Sequence, residues 1–126
     1  MIRLLTQQWQ RFCDRVVWSL DGWRNIWQTE PSLKQWVVAN CISSGFAIYL
    51  PLSTAETAII MMGGILLLAA ECINTAIERV VDDIGLERRD LAKQAKDAGS
   101  AAVAVTAISV GAVWLVILVK YHGFVA

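Results

Sequence analysis

The chain has 126 residues, of which 56% are apolar and 17% are charged. A water-soluble domain of this length carries roughly a quarter charged residues, so the composition argues against a cytosolic enzyme and against a disordered chain. Eleven Lys and Arg balance eleven Asp and Glu, and a net charge of zero argues against a nucleic-acid partner. Three scattered cysteines and one histidine, His122, form no zinc motif.

Residues 1–29 predict an amphipathic surface helix. Apolar residues recur there every three or four positions, with Arg11, Asp14 and Arg15 between them. The apolar positions are Leu5, Trp9, Phe12, Val16, Leu20, Trp23 and Trp27. Indole rings favour the headgroup region of a bilayer, so we expect this helix to lie on the membrane surface. Docking on another subunit is an alternative that the same face also suits.

Three stretches are long enough to cross a membrane, which takes about 20 helical residues. Two of them carry no charge, a 21-residue run after Lys34 and a 22-residue run after Asp97. A third stretch between them, Thr57 to Ile77, is 21 residues long and contains one charged residue, Glu71. We therefore predict an all-α integral membrane protein, in which the surface helix precedes three transmembrane helices at residues 31–52, 54–84 and 98–121.

Local signals indicate where these helices begin and end. Pro31 suits a first helical turn, and Pro51 closes the first span. Ser53-Thr54-Ala55-Glu56 has the spacing of a capping box at the start of the second span. Gly85 follows the charged end of that helix, where we predict a left-handed cap.

The distribution of basic residues predicts the orientation in the membrane. Five Lys and Arg precede the first span, none lies in the first loop, five lie around the second loop, and Lys120 alone is in the tail. Short segments rich in Lys and Arg stay in the cytoplasm. We therefore expect a cytoplasmic N-terminus and a C-terminus on the opposite side of the membrane.

Glu71 needs a specific explanation because a carboxylate at bilayer depth costs about 2.5–3.5 kcal/mol. Asn74, Glu78 and Asp82 follow it at spacings of three, four and four residues, so all four share one helical face. Oxygen ligands of this kind suit Mg²⁺ near a phosphate-bearing substrate. The alternative is a buried structural carboxyl of Glu71 held by a neighbouring helix.

The second loop is basic, and the last span is rich in small residues. The basic side chains of a loop like this favour a role in setting the topology, and phosphate binding near the acidic face is the alternative. No P-loop and no kinase-type glycine loop occurs in the sequence. Small residues recur at helical spacing in the last span and predict close helix packing: Ser100, Ala104, Ala107 and Gly111. Because three spans enclose little volume, we expect an oligomer.

Three blocks of the sequence resemble the prokaryotic diacylglycerol kinases. Residues 71–82 read E-C-I-N-T-A-I-E-R-V-V-D, and residues 96–103 read K-D-A-G-S-A-A-V. A third block, Ser19-x-x-Gly22-x-Arg24-x-x-Trp27-x-x-Glu30, is also similar. The resemblance implies a homotrimer in the bacterial inner membrane, with a periplasmic C-terminus and composite sites at subunit boundaries. Its implied reaction transfers the γ-phosphate of Mg-ATP to diacylglycerol and yields phosphatidic acid.

The resemblance also implies roles for individual residues. Glu71 would be the general base and Asn74 would orient it or the phosphoryl group, while Glu30 and Glu78 would hold Mg²⁺ with the phosphates. The implied nucleotide contacts are Arg11, Trp18, Glu30, Glu78, Glu87, Arg88, Arg89, Lys96 and Asp97. The implied lipid contacts are Glu71, Arg24, Trp27, Ser100 and Trp114.

Departures from the family pattern and two rival functions leave alternatives open. Trp18 stands where tyrosine is common, Trp36 replaces a frequent glutamate, and Asp21 lies where a basic residue is common. Undecaprenol kinases share the E-x-x-N-x-A-I-E core, although the long Trp-rich N-terminal segment favours diacylglycerol. A small ion-coupled transporter or an assembly subunit would instead use the intramembrane glutamate to bind protons or cations.

Overall fold

The computed structural model describes residues 2–121 and 123, and every regular element in that part of the chain is an α-helix. The four helices are α1 (Ile2–Thr29), α2 (Pro31–Tyr49), α3 (Thr54–Ile84) and α4 (Asp90–Tyr121). The predicted all-α class is therefore confirmed. His122, the single histidine of the chain, lies outside the described residues.

Two of the four helices, α3 and α4, are long and apolar enough to cross a membrane. Their 31 and 32 residues correspond to about 45 Å of helix, more than the roughly 30 Å hydrocarbon core. The rest of the chain leaves most of both apolar stretches uncovered, unlike the core helices of a soluble protein. Helix α2 has 19 residues and includes Lys34, Gln35 and Asn40. It is not among the helices whose length and apolar composition suffice to cross a membrane. Its role as the first span stays a prediction.

The two prolines bound α2. Pro31 occupies its first turn, where the missing N–H removes no helical hydrogen bond. Leu50 is extended because it precedes Pro51, whose ring disfavours a helical conformation in the residue before it. The helix therefore ends at Tyr49, before the predicted end of the span at residue 52.

The predicted capping box at the start of α3 is confirmed. The Glu56 backbone N–H donates to Ser53 Oγ at 3.3 Å, and the Ser53 backbone N–H donates to Glu56 Oε2 at 2.8 Å. Lys120 Nζ lies 3.0 Å from Glu56 Oε1, so an ion pair joins the end of α4 to the start of α3. The carboxylate of Glu56 therefore has a structural role.

The predicted left-handed cap at Gly85 is wrong. Gly85 ends α3 with a φ of 162° and a ψ of 144°, which is extended backbone. Arg89 Nη2 donates instead to the carbonyl oxygens of Val81 at 3.1 Å and Gly85 at 3.0 Å. A guanidinium thus satisfies carbonyls at the end of the helix, a task that a left-handed turn often performs. Helix α4 then begins at Asp90, ahead of the span predicted from residue 98.

Helix α3 lies at the centre, with α4 and α2 packed against it. Two adjacent glycines of α3, Gly63 and Gly64, allow α4 and α2 to come close to it. Asn40 Nδ2 of α2 donates to the Gly64 carbonyl oxygen at 3.0 Å, and a Cβ on Gly63 would lie 3.0 Å from Val110 Cγ2 of α4. A Cβ on Gly111 would have no atom within 4 Å. The small-residue stripe predicted to pack closely therefore does not do so at Gly111 within one chain.

Helix α1 leaves its apolar face uncovered by the rest of the chain. The seven apolar side chains named for this face are between 40% and 66% exposed. Trp9 and Phe12 stack on each other, with ring centroids 5.8 Å apart. This confirms a helix with the predicted apolar face, and its placement on a membrane surface stays a prediction.

Candidate active site

Glu71 is buried in α3, with 5% of its surface exposed, and Thr75 one turn further is 3% exposed. Within the described part of the chain, no hydrogen bond reaches the Glu71 carboxylate. A structural carboxyl held by a neighbouring helix would need such a partner, whereas the Glu71 oxygens are not fully buried and the residue lines a cleft. The surroundings of Glu71 therefore favour a chemical role.

Glu71 lines a cleft of about 440 Å³ formed by α2, α3, α4 and the residue between α1 and α2. We call it the Glu71 cleft. Its polar lining comes from Glu30, Ser32, Gln35, Glu71, Asn74, Thr75, Glu78 and Ser100, and Trp36 forms part of its wall. Three carboxylates, those of Glu30, Glu71 and Glu78, thus share one cavity.

Asn74 is held between two partners in this cleft. Its Nδ2 donates to Glu78 Oε1 at 3.0 Å. Its Oδ1 is buried, has no hydrogen-bond partner in the described part of the chain, and packs so closely against α4 that a Cβ on Gly99 would overlap it. A buried acceptor without a partner is a group that a bound ligand can satisfy. The amide is therefore oriented by Glu78 and by the absence of a side chain at Gly99.

A second cleft of about 320 Å³ lies where α3 gives way to α4, and we call it the loop cleft. It contains the predicted nucleotide contacts from this part of the chain, Glu87, Arg88, Arg89, Lys96 and Asp97. Asp82 also lines it, so the predicted acidic stripe is divided between the two clefts. Glu78 and Asp82 are one turn apart, about 6 Å along the helix axis. The two clefts are therefore close enough for one elongated ligand.

Ion pairs organise the loop cleft. Lys96 Nζ lies 2.6 Å from Asp82 Oδ1, which joins α4 to α3. Lys93 pairs with Asp97 one turn further along α4. Arg89 Nη2 donates to the carbonyl oxygens at the end of α3. Arg89 Nε is buried and has no hydrogen-bond partner among the described residues. The lining thus carries four basic side chains and three carboxylates, and the basic groups can bind phosphate oxygens.

Several predicted site residues lie outside both clefts. Arg11, Trp18, Arg24 and Trp27 are exposed on α1 and line neither cavity. Trp114 donates from Nε1 to Ser43 Oγ at 2.8 Å and packs against a separate apolar cluster of Ala47, Ile60 and Ile117. A single chain therefore gathers Glu30, Glu71, Asn74, Glu78 and Ser100, but not the residues predicted on α1 or at Trp114.

Sequence reasoning missed the parts played by Gly99 and Arg79. Gly99 leaves room for the Asn74 amide. The sequence signal for this role was a lone glycine inside a long helix. Such a glycine costs about 1 kcal/mol relative to alanine, so it indicates a reason in the packing. Arg79, counted only as a charge that sets topology, lies 3.1 Å from Glu30 Oε1. No local pattern indicates that contact, because the two residues are 49 positions apart in the chain.

The oxygen ligands in the Glu71 cleft fit Mg²⁺ bound together with a nucleotide. In the described part of the chain, no three His, Cys, Asp or Glu side chains cluster closely enough to hold a metal ion by themselves. Glu30 and Glu78 nevertheless line one cleft. Mg²⁺ is commonly held by one or two carboxylates plus substrate phosphates, so two carboxylates suffice.

Comparison with known proteins places this chain in a family. The model of the prokaryotic diacylglycerol kinase family matches residues 17–118. The diacylglycerol kinase of Pseudomonas aeruginosa is 38% identical over 111 residues, which cover 86% of this chain and 89% of that protein. The Haemophilus influenzae diacylglycerol kinase is 35% identical over 97 residues, covering 77% and 82% respectively. The Escherichia coli K12 diacylglycerol kinase is 31% identical over 118 residues, covering 94% and 97%. The chain therefore belongs to the prokaryotic diacylglycerol kinase family.

Proposed function

We propose that this protein transfers the γ-phosphate of Mg-ATP to the free hydroxyl of diacylglycerol, yielding phosphatidic acid and ADP. The observation that carries the proposal is the Glu71 cleft, where a carboxylate that accepts no hydrogen bond from the described residues shares the cavity with an oriented amide and two further carboxylates. Family membership supports the same reaction, because the relatives named above are diacylglycerol kinases.

Glu71 acts as the general base. Its carboxylate accepts the proton of the lipid hydroxyl while that oxygen bonds to the γ-phosphorus, and the bond from the γ-phosphorus to the bridging oxygen of ADP breaks. Lipid bound in the cleft excludes water from Glu71, which limits ATP hydrolysis as a side reaction. Its depth in the helix suits a hydroxyl that stays in the lipid layer.

Asn74 and the remaining cleft residues position the reacting groups. The Asn74 amide, fixed by Glu78, orients the base or the phosphoryl group, and Ser100 on the opposite wall contacts the lipid. Glu30 and Glu78 would hold Mg²⁺, which when bound neutralises charge on the phosphates. Phosphoryl transfer asks little more of a protein than this positioning and charge compensation.

The nucleotide occupies the loop cleft and extends its phosphates towards Glu78. Lys96, Asp97, Glu87, Arg88 and Arg89 supply contacts there. Arg11 and Trp18 on α1 are further nucleotide contacts, and Arg24, Trp27 and Trp114 are further lipid contacts. Because these five residues lie outside both clefts of their own chain, the proposal includes sites shared between subunits of a homotrimer.

The proposed setting is the bacterial inner membrane. Helices α2, α3 and α4 cross it, with the N-terminus in the cytoplasm and the C-terminus in the periplasm, and α1 lies on the cytoplasmic surface. The asymmetry of Lys and Arg supports this orientation, since ten of the eleven lie in the N-terminal segment or around the second loop and only Lys120, in the last turn of α4, lies at the opposite end. Exposed apolar faces on every helix suit lipid and neighbouring subunits.

The test is transfer of labelled γ-phosphate from ATP by the purified protein in mixed micelles, with diacylglycerol and undecaprenol offered in parallel. Label in phosphatidic acid, lost in Glu71→Gln, supports the proposal. A preference for undecaprenol would assign the protein to the rival lipid kinase. Ion flux in vesicles without ATP consumption would show that the protein is a transporter and not a kinase.

A further inference from the structure

Arg79 reaches from α3 to the junction of α1 and α2. Its Nη1 donates to Asn25 Oδ1 at 2.6 Å, and its Nη2 donates to Thr29 Oγ1 at 2.6 Å and to Glu30 Oε1 at 3.1 Å. Across the described residues, these are the side-chain hydrogen bonds that tie α3 to α1 and to Glu30. Three acceptors hold one guanidinium, whose planar fork loses little freedom on binding them.

Glu30 depends on this contact for its orientation. It is the N-cap residue of α2, yet its side chain makes no capping hydrogen bond. The Thr29 hydroxyl lies 3.3 Å from Glu30 Oε1 but only 3.0 Å from the Asn25 carbonyl oxygen, and it can donate one hydrogen at a time. Oε1 therefore relies on Arg79, and Oε2 accepts no hydrogen bond among the described residues.

Arg79 does not itself line the Glu71 cleft, whereas Glu30 does. Arg79 can therefore affect a ligand bound in the cleft only through its contact with Glu30. The ion pair is partly exposed, with 43% of the Arg79 side chain and 27% of the Glu30 side chain accessible. Such a pair adds little to stability, since exposed pairs contribute about 0–1 kcal/mol. Orientation of the Glu30 carboxylate is the larger consequence.

We propose that Arg79 is a positioning residue that holds Glu30 Oε1 and leaves Oε2 available, so that Glu30 would bind the metal ion of a nucleotide in the cleft. The inference rests on the proposed function, in which Glu30 and Glu78 hold Mg²⁺. The guanidinium also offsets part of the repulsion among the three carboxylates of the cleft, which would otherwise turn Glu30 away. Asn25 Oδ1 and Thr29 Oγ1 accept the other hydrogen bonds of the guanidinium, and the Arg79–Glu30 pair does not depend on them.

The experiment compares Arg79→Gln and Arg79→Lys with wild type in the full-length protein in micelles. Mn²⁺ binding is measured by electron paramagnetic resonance with a non-hydrolysable ATP analogue, alongside the Mg²⁺ midpoint of lipid phosphorylation. We expect the Mn²⁺ concentration at half-saturation and the Mg²⁺ midpoint of lipid phosphorylation both to rise about tenfold in Arg79→Gln. This is the lower end of the loss of metal affinity that follows removal of a residue supporting a metal ligand. Arg79→Lys should give a smaller rise, because it keeps the charge without the fork, and the KM for lipid should stay within twofold.

Two control variants separate the proposal from simpler effects. Arg15→Gln makes the same charge change on α1, where no side-chain contact of Arg15 occurs within the described residues, and should leave both midpoints unchanged. Thr29→Val removes a contact to Arg79 but keeps the Arg79–Glu30 pair, and should change them by less than twofold. A Thr29→Val shift as large as that of Arg79→Gln would mean that Arg79 acts by docking α1, and would overturn the proposal.

Failure of this inference is distinct from failure of the proposed function. If wild type transfers phosphate and Arg79→Gln keeps the wild-type Mn²⁺ and Mg²⁺ midpoints, the positioning role is wrong and the kinase stands. If wild type transfers no phosphate to either lipid, the proposed function fails and this inference fails with it. Thermal unfolding of each variant checks that a raised midpoint does not reflect loss of the fold.

Discussion

Gly99→Ala should lower kcat by a factor of ten or more while the protein still folds. The added Cβ overlaps Asn74 Oδ1, while its next neighbours, Asn74 Cγ at 3.4 Å and Ile77 Cδ1 at 3.5 Å, are at tight to ordinary contact distances. Only the Asn74 side chain therefore has to move. Because that side chain has two torsions and is bonded to Glu78, relieving the overlap turns the amide and breaks the 3.0 Å hydrogen bond from Nδ2.

The expected loss of stability follows from the hydrogen bond between Asn74 and Glu78. Losing a hydrogen bond to a charged group costs about 1.5–3 kcal/mol, and replacing glycine by alanine inside a helix returns about 0.5–1 kcal/mol. We therefore expect a net loss of stability of about 0.5–2.5 kcal/mol. If the same amide orients the reacting groups, its displacement lowers kcat about ten- to a hundredfold, since each 1.4 kcal/mol of barrier is a factor of ten.

The assay is kcat for labelled phosphate transfer, with thermal unfolding in detergent followed by circular dichroism. Gly111→Ala is the matched control, because it adds the same methyl group to the same helix with no atom within 4 Å. Gly45→Ala is a second control on α2, also in open space. Both should keep wild-type kcat. Wild-type kcat in Gly99→Ala, or an equal loss in Gly111→Ala, would refute the argument that the Asn74 amide is held by the missing side chain.

Three further predictions concern α3. Glu71→Gln should lower kcat by about 10²–10⁴, the usual contribution of a general base, without lowering the unfolding temperature; wild-type kcat would show that another group takes the proton. Glu78→Gln should raise the Mg²⁺ midpoint of phosphate transfer or abolish turnover, because it removes a carboxylate while its amide oxygen still accepts from Asn74; an unchanged Mg²⁺ titration would contradict its role. Ser53→Ala should lower stability by about 1 kcal/mol in thermal unfolding and leave kcat unchanged, since the capping box lies at the end of α3 remote from the cleft; a loss of kcat without destabilisation would contradict this.

Features internal to one helix were predictable from the sequence. The spacing of Glu71, Asn74 and Glu78 placed them on one face of a helix, and all three line the Glu71 cleft. The capping box at Ser53 formed as predicted, because its partners are three residues apart in the chain. Such predictions succeed because backbone hydrogen bonding sets 3.6 residues per turn whatever surrounds the helix.

Features between helices were not predictable in the same way. Gly85 ends α3 in an extended conformation because Arg89 folds back to supply the cap, a choice that depends on the path of the following loop. The close approach of α4 falls at Gly63 and Gly99, whereas Gly111 of the predicted stripe has open space around it. Small residues show where helices are able to approach, but the partner surface decides where they do.

The sequence by itself determined an apolar, all-helical chain, the acidic face of its central helix, and the motifs that indicate its family. Only the tertiary structure decided that Glu30, far from Glu71 in the chain, shares its cleft, and that Arg79 holds Glu30 while Asp82 belongs to the neighbouring cleft. The physical reason is that periodicity encodes which residues share a face of one helix. The meeting of two faces depends on how side chains of separate helices pack, and that information is spread over residues distant in the chain.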